Sequence, residues 1–190
     1  INDKKILVNI ANTTMASRNI SKTAREKFAE MLAEAVLHVK EKRGDGWVVD
    51  LDDVQTLRKM GKDVGTTDIV KGLVIDKEVL HRMMPTEVKN AKIAIIDSAL
   101  EVVKTTFDAQ VQIQNSKDIT AFKEKETNML KELVNAIVKS GANVVFCQKG
   151  IDEPAQRYLY DNGILAARRV KKSDMYRIAK ATGGKVINDI

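Results

Sequence analysis

Aromatic residues make up only 4% of this 190-residue chain, which also holds just one cysteine, one tryptophan and two prolines. A core so poor in rings must be packed from Val, Ile, Leu, Ala and Met, the composition of aliphatic strands covered by helices. A single cysteine excludes a disulfide framework and points to an intracellular protein. Cys147 follows the apolar run Val144, Val145, Phe146 and reads as a small buried hydrophobe. No apolar stretch approaches the roughly 20 residues of a membrane-spanning helix, and Ile1 to Lys5 form no signal peptide. The expected location is the cytoplasm, with no membrane partner. The chain opens on Ile, not Met, so the expectation is an excised fragment of a longer protein.

What is present is a well-populated apolar fraction of 44% within a heavily charged surface, 32 basic against 26 acidic residues for a net charge of +6. The apolar content is ample for a core, and the mixed charge favours solubility over obligatory nucleic-acid binding. The fold class expected is α/β.

Along the chain, Ile6, Leu7, Ile10 and Ala11 have helical spacing, with Asn2 available as a cap. A second helix from about Ser21 carries Ala24, Phe28, Met31, Leu32, Ala35, Val36 and Val39 on one stripe and ends before Gly44. Short extended pieces, Trp47 to Leu51 and Val54 to Leu57, read as a connector between domains. Apolar runs at Ile69 to Ile75, Lys92 to Ile96, Leu100 to Val103 and the alternating Ala109, Val111, Ile113 read as strands of a second domain. The last third is more regular: strand Asn143 to Gln148, helix Asp152 to Asn162, strand Ile164 to Ala167, helix Ser173 to Ala181, strand Lys185 to Ile187. This alternation predicts parallel βαβ units, with Gly163 and Gly183 stopping the two helices.

Asp118 to Ser140 predicts one helix about 35 Å long, capped by Ser116 and stopped by Gly141. Its halves differ. Met129, Leu130, Leu133, Val134, Ile137 and Val138 form a core-facing stripe, whereas Lys123 to Asn128 contains no strongly apolar residue. Ile119 and Phe122 then reappear near the helix start, beside the strand end at Ile113. They form either a local cluster steadying a tip or an adhesive patch on a protruding arm.

Catalytic constellations are missing. His38 and His81 share no motif, metal-ligand spacing is absent, and no Gly-x-Ser-x-Gly elbow occurs. Gly44-Asp45-Gly46 and Gly61 to Thr67 lack the spacing of a phosphate loop, and Asp152 and Glu153 after the Lys149-Gly150 turn would repel a phosphate. Arg168, Arg169, Val170, Lys171 and Lys172 form a basic run that suits either a nucleic-acid contact or a plain strand-to-helix loop. On the helix from Asp152, Ile151, Ala155 and Leu159 make the inward stripe, which leaves Arg157 and Tyr160 facing outward.

The strings Lys71-Gly72-Leu73-Val74-Ile75-Asp76-Lys77-Glu78, Asn90-Ala91-Lys92-Ile93-Ala94, Gly141-Ala142-Asn143-Val144-Val145-Phe146, Gln148-Lys149-Gly150-Ile151-Asp152 and Arg168-Arg169-Val170-Lys171-Lys172-Ser173-Asp174-Met175 closely resemble the group II chaperonins, the archaeal thermosome type in particular. The resemblance implies a partial intermediate domain over 1–68 and an apical domain over 69–190, with a helical protrusion at about 108–140 acting as a built-in lid. It further implies that Ile113, Ile119, Phe122, Arg157 and Tyr160 contact non-native polypeptides or neighbouring subunits in a double ring. ATP and magnesium are implied for the full-length subunit, at a site outside this chain, so this chain itself is expected to hold no cofactor and hydrolyse nothing. Lys123 stands where related protrusions often carry an apolar residue, and Arg82 where proline is frequent. The alternative reading is a stand-alone nucleic-acid-binding module built on the basic run.

Overall fold

The computed structural model describes residues 3–61, 63–102 and 116–189, with backbone alone at 64 and 116–122. Two compact units divide between Leu73 and Val74.

In the first unit α1 (Lys4–Met15) packs along α2 (Lys22–Val39). Asp3, not Asn2, caps α1: its Oδ1 accepts the Lys5 N–H at 2.9 Å. Ser21 caps α2 through the Ala24 N–H at 3.3 Å, as the sequence predicts. The apolar stripe of α2 is not a closed core, because Phe28, Met31, Ala35 and Val36 are half-buried and Leu32 is exposed. Only Ala29 and Ala33 are buried. A pair of helices can enclose small side chains at close approach but has too few walls to cover large ones.

The expected connector is instead partly a hairpin, with β1 (Glu41–Arg43) antiparallel to β2 (Gly46–Val48). Val54 to Leu57 forms no strand, and single 3-10 turns occupy Leu51–Asp53 and Val64–Thr66. Two lysines fasten the following segment to this unit. Lys27 Nζ donates to the Gly65 carbonyl at 2.7 Å, and Lys71 pairs with Glu34 at 2.9 Å.

The second unit is the predicted α/β assembly: β3 (Ile93–Ile96), α3 (Ser116–Lys139), β4 (Val144–Cys147), α4 (Glu153–Asp161), β5 (Leu165–Ala167) and α5 (Lys172–Thr182). The three strands are parallel in the order β3-β4-β5, with Ile93 opposite Val144 and Val144 opposite Leu165. Helices α3 and α4 pack against each other. The strand predicted at Lys185 to Ile187 shrinks to one parallel bridge, Ile187 to Ile96, on the free edge of β3.

Leu130, Val134 and Ile137 of α3 join Ile96, Val145, Ile151, Ala155 and Leu159 in the core. Met129, expected on that stripe, is exposed, so among the described side chains of α3 burial begins one residue later, at Leu130. Ile69 to Ile75 and Leu100 to Val102 are not strands. Val70 is 62% exposed and pairs with no strand among the described residues, while Leu100 is fixed by a bridge to Ile151. Ala109, Val111 and Ile113 lie outside the described residues.

Gly150 is the tightest point of the unit. Leu100 N–H donates to its carbonyl at 3.1 Å, Asp152 N–H donates to the Leu100 carbonyl at 2.9 Å, and a Cβ on Gly150 would run into the Glu101 carboxylate. The overlapping atoms are the far end of a flexible side chain, so Gly150→Ala is expected to lower stability by about 1 kcal/mol or less, the cost of moving Glu101 off its preferred rotamer. Urea unfolding of Gly150→Ala, Glu101→Ala and the double variant checks it, since removing the Glu101 side chain should recover most of the loss.

Glu34 has its carboxyl held below the usual range, first by its hydrogen bond to Lys71 and then by that residue's charge. A depressed folded pKa means the contact stabilises fully above the ordinary carboxylate value of about 4.3 and is lost as pH falls through the folded value. In Lys71→Met, the Glu34 titration followed by carboxyl-carbon NMR should move upward, and an unchanged midpoint would show that Lys71 is not the cause.

Candidate functional site: the cleft beside α4

Helix α4 starts abruptly because Pro154 sits in its first turn, where a missing N–H is harmless. Asp152 stands at the cap position in extended conformation but makes no side-chain cap. Its Oδ2 instead accepts the Val102 N–H at 2.8 Å, tying the start of α4 to the end of the preceding loop. Ile151, Ala155 and Leu159 are buried, the inward stripe predicted from spacing.

Arg157 is on the outer face, as expected, with its guanidinium 3.9 Å from Asp161. Both side chains are largely exposed, so that pair contributes little to stability. Tyr160 departs from the expectation. It is half-buried, and its ring stacks on His81 with centroids 4.6 Å apart and planes at 17°. Helical position alone places Tyr160 away from the core; the partner that covers it comes from far earlier in the chain.

His81 is held on both sides. Leu80 N–H donates to the Ala166 carbonyl of β5 at 2.9 Å, Met84 N–H donates to the His81 carbonyl at 3.0 Å, and Met84 is buried. His81 Nδ1 accepts the Met83 N–H at 3.2 Å, which puts the proton of the neutral ring on Nε2. The turn therefore presents its imidazole face to α4.

Between this turn, α3 and α4 lies an open cleft of about 980 Å³, with His81, Tyr158, Tyr160, Gln156, Arg157 and Arg168 among its walls. Thr127 of α3 and the carboxylates of Asp152, Glu153 and Asp161 complete the lining. Lys131 reaches across from α3 to within 5.7 Å of the Tyr158 ring centre, a cation–π contact that links the two helices. Flat aromatic faces beside both signs of charge can hold an extended polypeptide through varied contacts. His81 and Arg168 were not legible as members: one arrives through a turn and the other ends a strand, and only folding brings them to α4.

Ile119 and Phe122 belong to the backbone of α3, but their side chains, like all of Ile113, lie outside what the structure describes. From Lys123 to Met129 no side chain is buried.

Among the described residues no group of three His, Cys, Asp or Glu side chains converges on a metal position. Gly44 and Asp45 turn the β1–β2 hairpin, and Gly150 is covered by a carboxylate. Cys147 is fully buried and its thiol is pushed up by desolvation, which keeps it protonated and unreactive. Among the described residues, no helix is long and apolar enough to cross a membrane.

With that geometry in hand, the comparisons agree with one another. The TCP-1/cpn60 chaperonin family model matches residues 1–190. The thermosome subunit beta of Sulfurisphaera tokodaii is 50% identical over 190 residues, all of this chain and 34% of the relative. The thermosome subunit of Desulfurococcus sp. is 49% identical over 180 residues, 95% of this chain and 33% of the relative. Among solved structures, the open-state monomer of a group II chaperonin from Methanococcoides burtonii aligns with a TM-score of 0.75 at 34% identity, covering 99% of this chain and 40% of that one. The chain belongs to the TCP-1/cpn60 chaperonin family. It spans about a third of the length of the curated relatives it matches, and the resemblance to group II chaperonins read from its strings is borne out.

The stack that shapes the cleft can be tested directly. A double-mutant cycle of His81→Ala and Tyr160→Ala, read by urea unfolding, should give a coupling of about 0.5–1.5 kcal/mol. Coupling near zero would mean that the rings lie side by side without holding the turn to α4.

Proposed function

We propose that residues 69–190 are the apical, client-binding domain of a chaperonin subunit and that residues 1–68 are part of its intermediate domain. In this reading the segment at about 108–140 is a helical protrusion that serves as a built-in lid. The observation that carries it is the cleft beside α4, where half-buried aromatic faces and both signs of charge line an open surface of a rigid unit. Such a surface suits segments of non-native polypeptides, which offer apolar, polar and charged groups in no fixed order. Affinity per site is weak, and neighbouring subunits in a double ring compensate by raising the effective concentration of binding surfaces.

The long α3 supports the lid assignment. From Lys123, its first described side chain, to Met129 none is buried, so about 10 Å of the helix precedes the core contact at Leu130. Ile113, Ile119 and Phe122 are assigned to the tip, where they touch a neighbouring protrusion or a client, while Arg157 and Tyr160 belong to the cleft. ATP and magnesium act elsewhere in the longer subunit, and their hydrolysis cycle moves the protrusion.

The test uses the full-length subunit assembled as a ring. Replacing Ile119 and Phe122 together by Ser should weaken nucleotide-dependent lid closure, measured as protease protection of the protrusion. Arg157→Ala with Tyr160→Ala should reduce suppression of aggregation of a denatured client about tenfold or less, as expected for one weak site among several. Unchanged closure and unchanged suppression in the respective variants would sink the tip and cleft assignments separately.

A further inference from the structure

We infer that the loop Arg168–Lys172, with Lys149 beside it, is a docking surface for acidic polypeptide segments. The inference rests on the client-binding reading above and adds the chemistry of the client.

The loop is built, not loose. Arg169 N–H donates to the Lys149 carbonyl at 3.0 Å and Val170 N–H to the Cys147 carbonyl at 3.0 Å, so the chain stays fastened to the end of β4 after β5 has finished. Val170 is buried at 1% exposure and plugs the loop into the core. Asp174 and Met175 N–H both donate to the Lys171 carbonyl and close the first turn of α5. Arg169 adopts φ +53, a left-handed conformation that a non-glycine residue holds only where its surroundings fix it.

Around the Val170 plug, Arg168, Arg169, Lys171, Lys172 and Lys149 are all exposed. Among the described residues none of these five forms an ion pair, whereas Lys27, Lys71, Arg157 and Arg177 each face a carboxylate. Fixed like charges repel one another, and a surface that gathers them without internal counter-charges attracts an anionic partner from outside. Arg168 also lines the cleft, so the basic loop continues its wall.

The partner is a polypeptide and not a nucleic acid because of the carboxylates beside it. Asp152, Glu153 and Asp161 line the same cleft. A nucleic acid carries a charge at every residue and would meet those carboxylates, and the loop contains no aromatic on which bases could stack. A polypeptide can set its Asp and Glu on the loop while laying uncharged residues along the cleft.

The experiment is fluorescence anisotropy of the purified chain with three labelled, unstructured peptides of equal length and apolar content, one rich in Asp and Glu, one with Asn and Gln at those positions, one with Lys. A short DNA duplex is the fourth probe, and all are read at low and at physiological salt. The acidic peptide should bind about tenfold tighter than the neutral one at low salt, with the gap narrowing as salt rises. Arg169→Gln, Lys171→Gln and Lys172→Gln combined should abolish that preference and leave the neutral peptide's affinity unchanged. The wild-type peptide comparison stands even if the triple variant does not fold. Equal binding of acidic and neutral peptides overturns this inference alone. No binding of any peptide overturns the client reading with it. Tighter binding of the duplex than of the acidic peptide at both salts assigns the surface to nucleic acid and overturns the inference.

Discussion

Everything in the second unit hangs on β4. Among the described residues it is the only strand flanked by a strand on each edge, with β3 on one side and β5 on the other. Val144, Val145 and Cys147 are buried. A parallel strand in this position cannot be satisfied by water, so its neighbours, its covering helices and the loops at its end are all constrained together. The bonds that continue past the strand show how far this reaches. Cys147 and Lys149 carbonyls capture the chain after β5, and the Gly150 carbonyl captures the loop after β3.

This makes the cleft a product of the sheet more than of α4. One wall, the His81 turn, is bonded to β5 through Ala166; another, Arg168, is the residue following β5; and the start of α4 is tied by Asp152 to Val102. Small displacements of β4 would move all three walls at once. Burying the strand deeply gives the open, half-polar surface a fixed base, to which the His81–Tyr160 stack and the Asp152–Val102 bond add local ties.

The parts legible in the sequence are those where punctuation and burial coincide. Gly163 and Gly183, both at φ +68, end α4 and α5 as their positions predict, and the aliphatic runs at Ile93 and Val144 are strands because each has a partner. Ile69 to Ile75 looks no less strand-like by composition, but pairing depends on what lies alongside, which no local pattern records. Tyr160 fails in the opposite sense. Its helical position faces outward, and its cover, His81, belongs to a turn whose place is set by a hydrogen bond to β5. Stripes and caps are local properties; a site assembled from a turn, a strand end and a helix is not. Family strings bridged that gap for the class of protein but could not reveal which side chains meet.

The two units also divide by how they are held. Among the described residues of the first, only two alanines are buried, while Ile6 and Ile10 of α1 stay more than half exposed. Burial of apolar area is the main favourable term in folding, at about 25 cal/mol per Å², so a unit that leaves large aliphatic side chains in solvent draws little from it. Its segment after Gly61 is fastened largely through lysine contacts, and such exposed polar contacts weaken with salt. The second unit has the closed aliphatic core. The cleft and the basic loop are both anchored at the end of β4, inside that core.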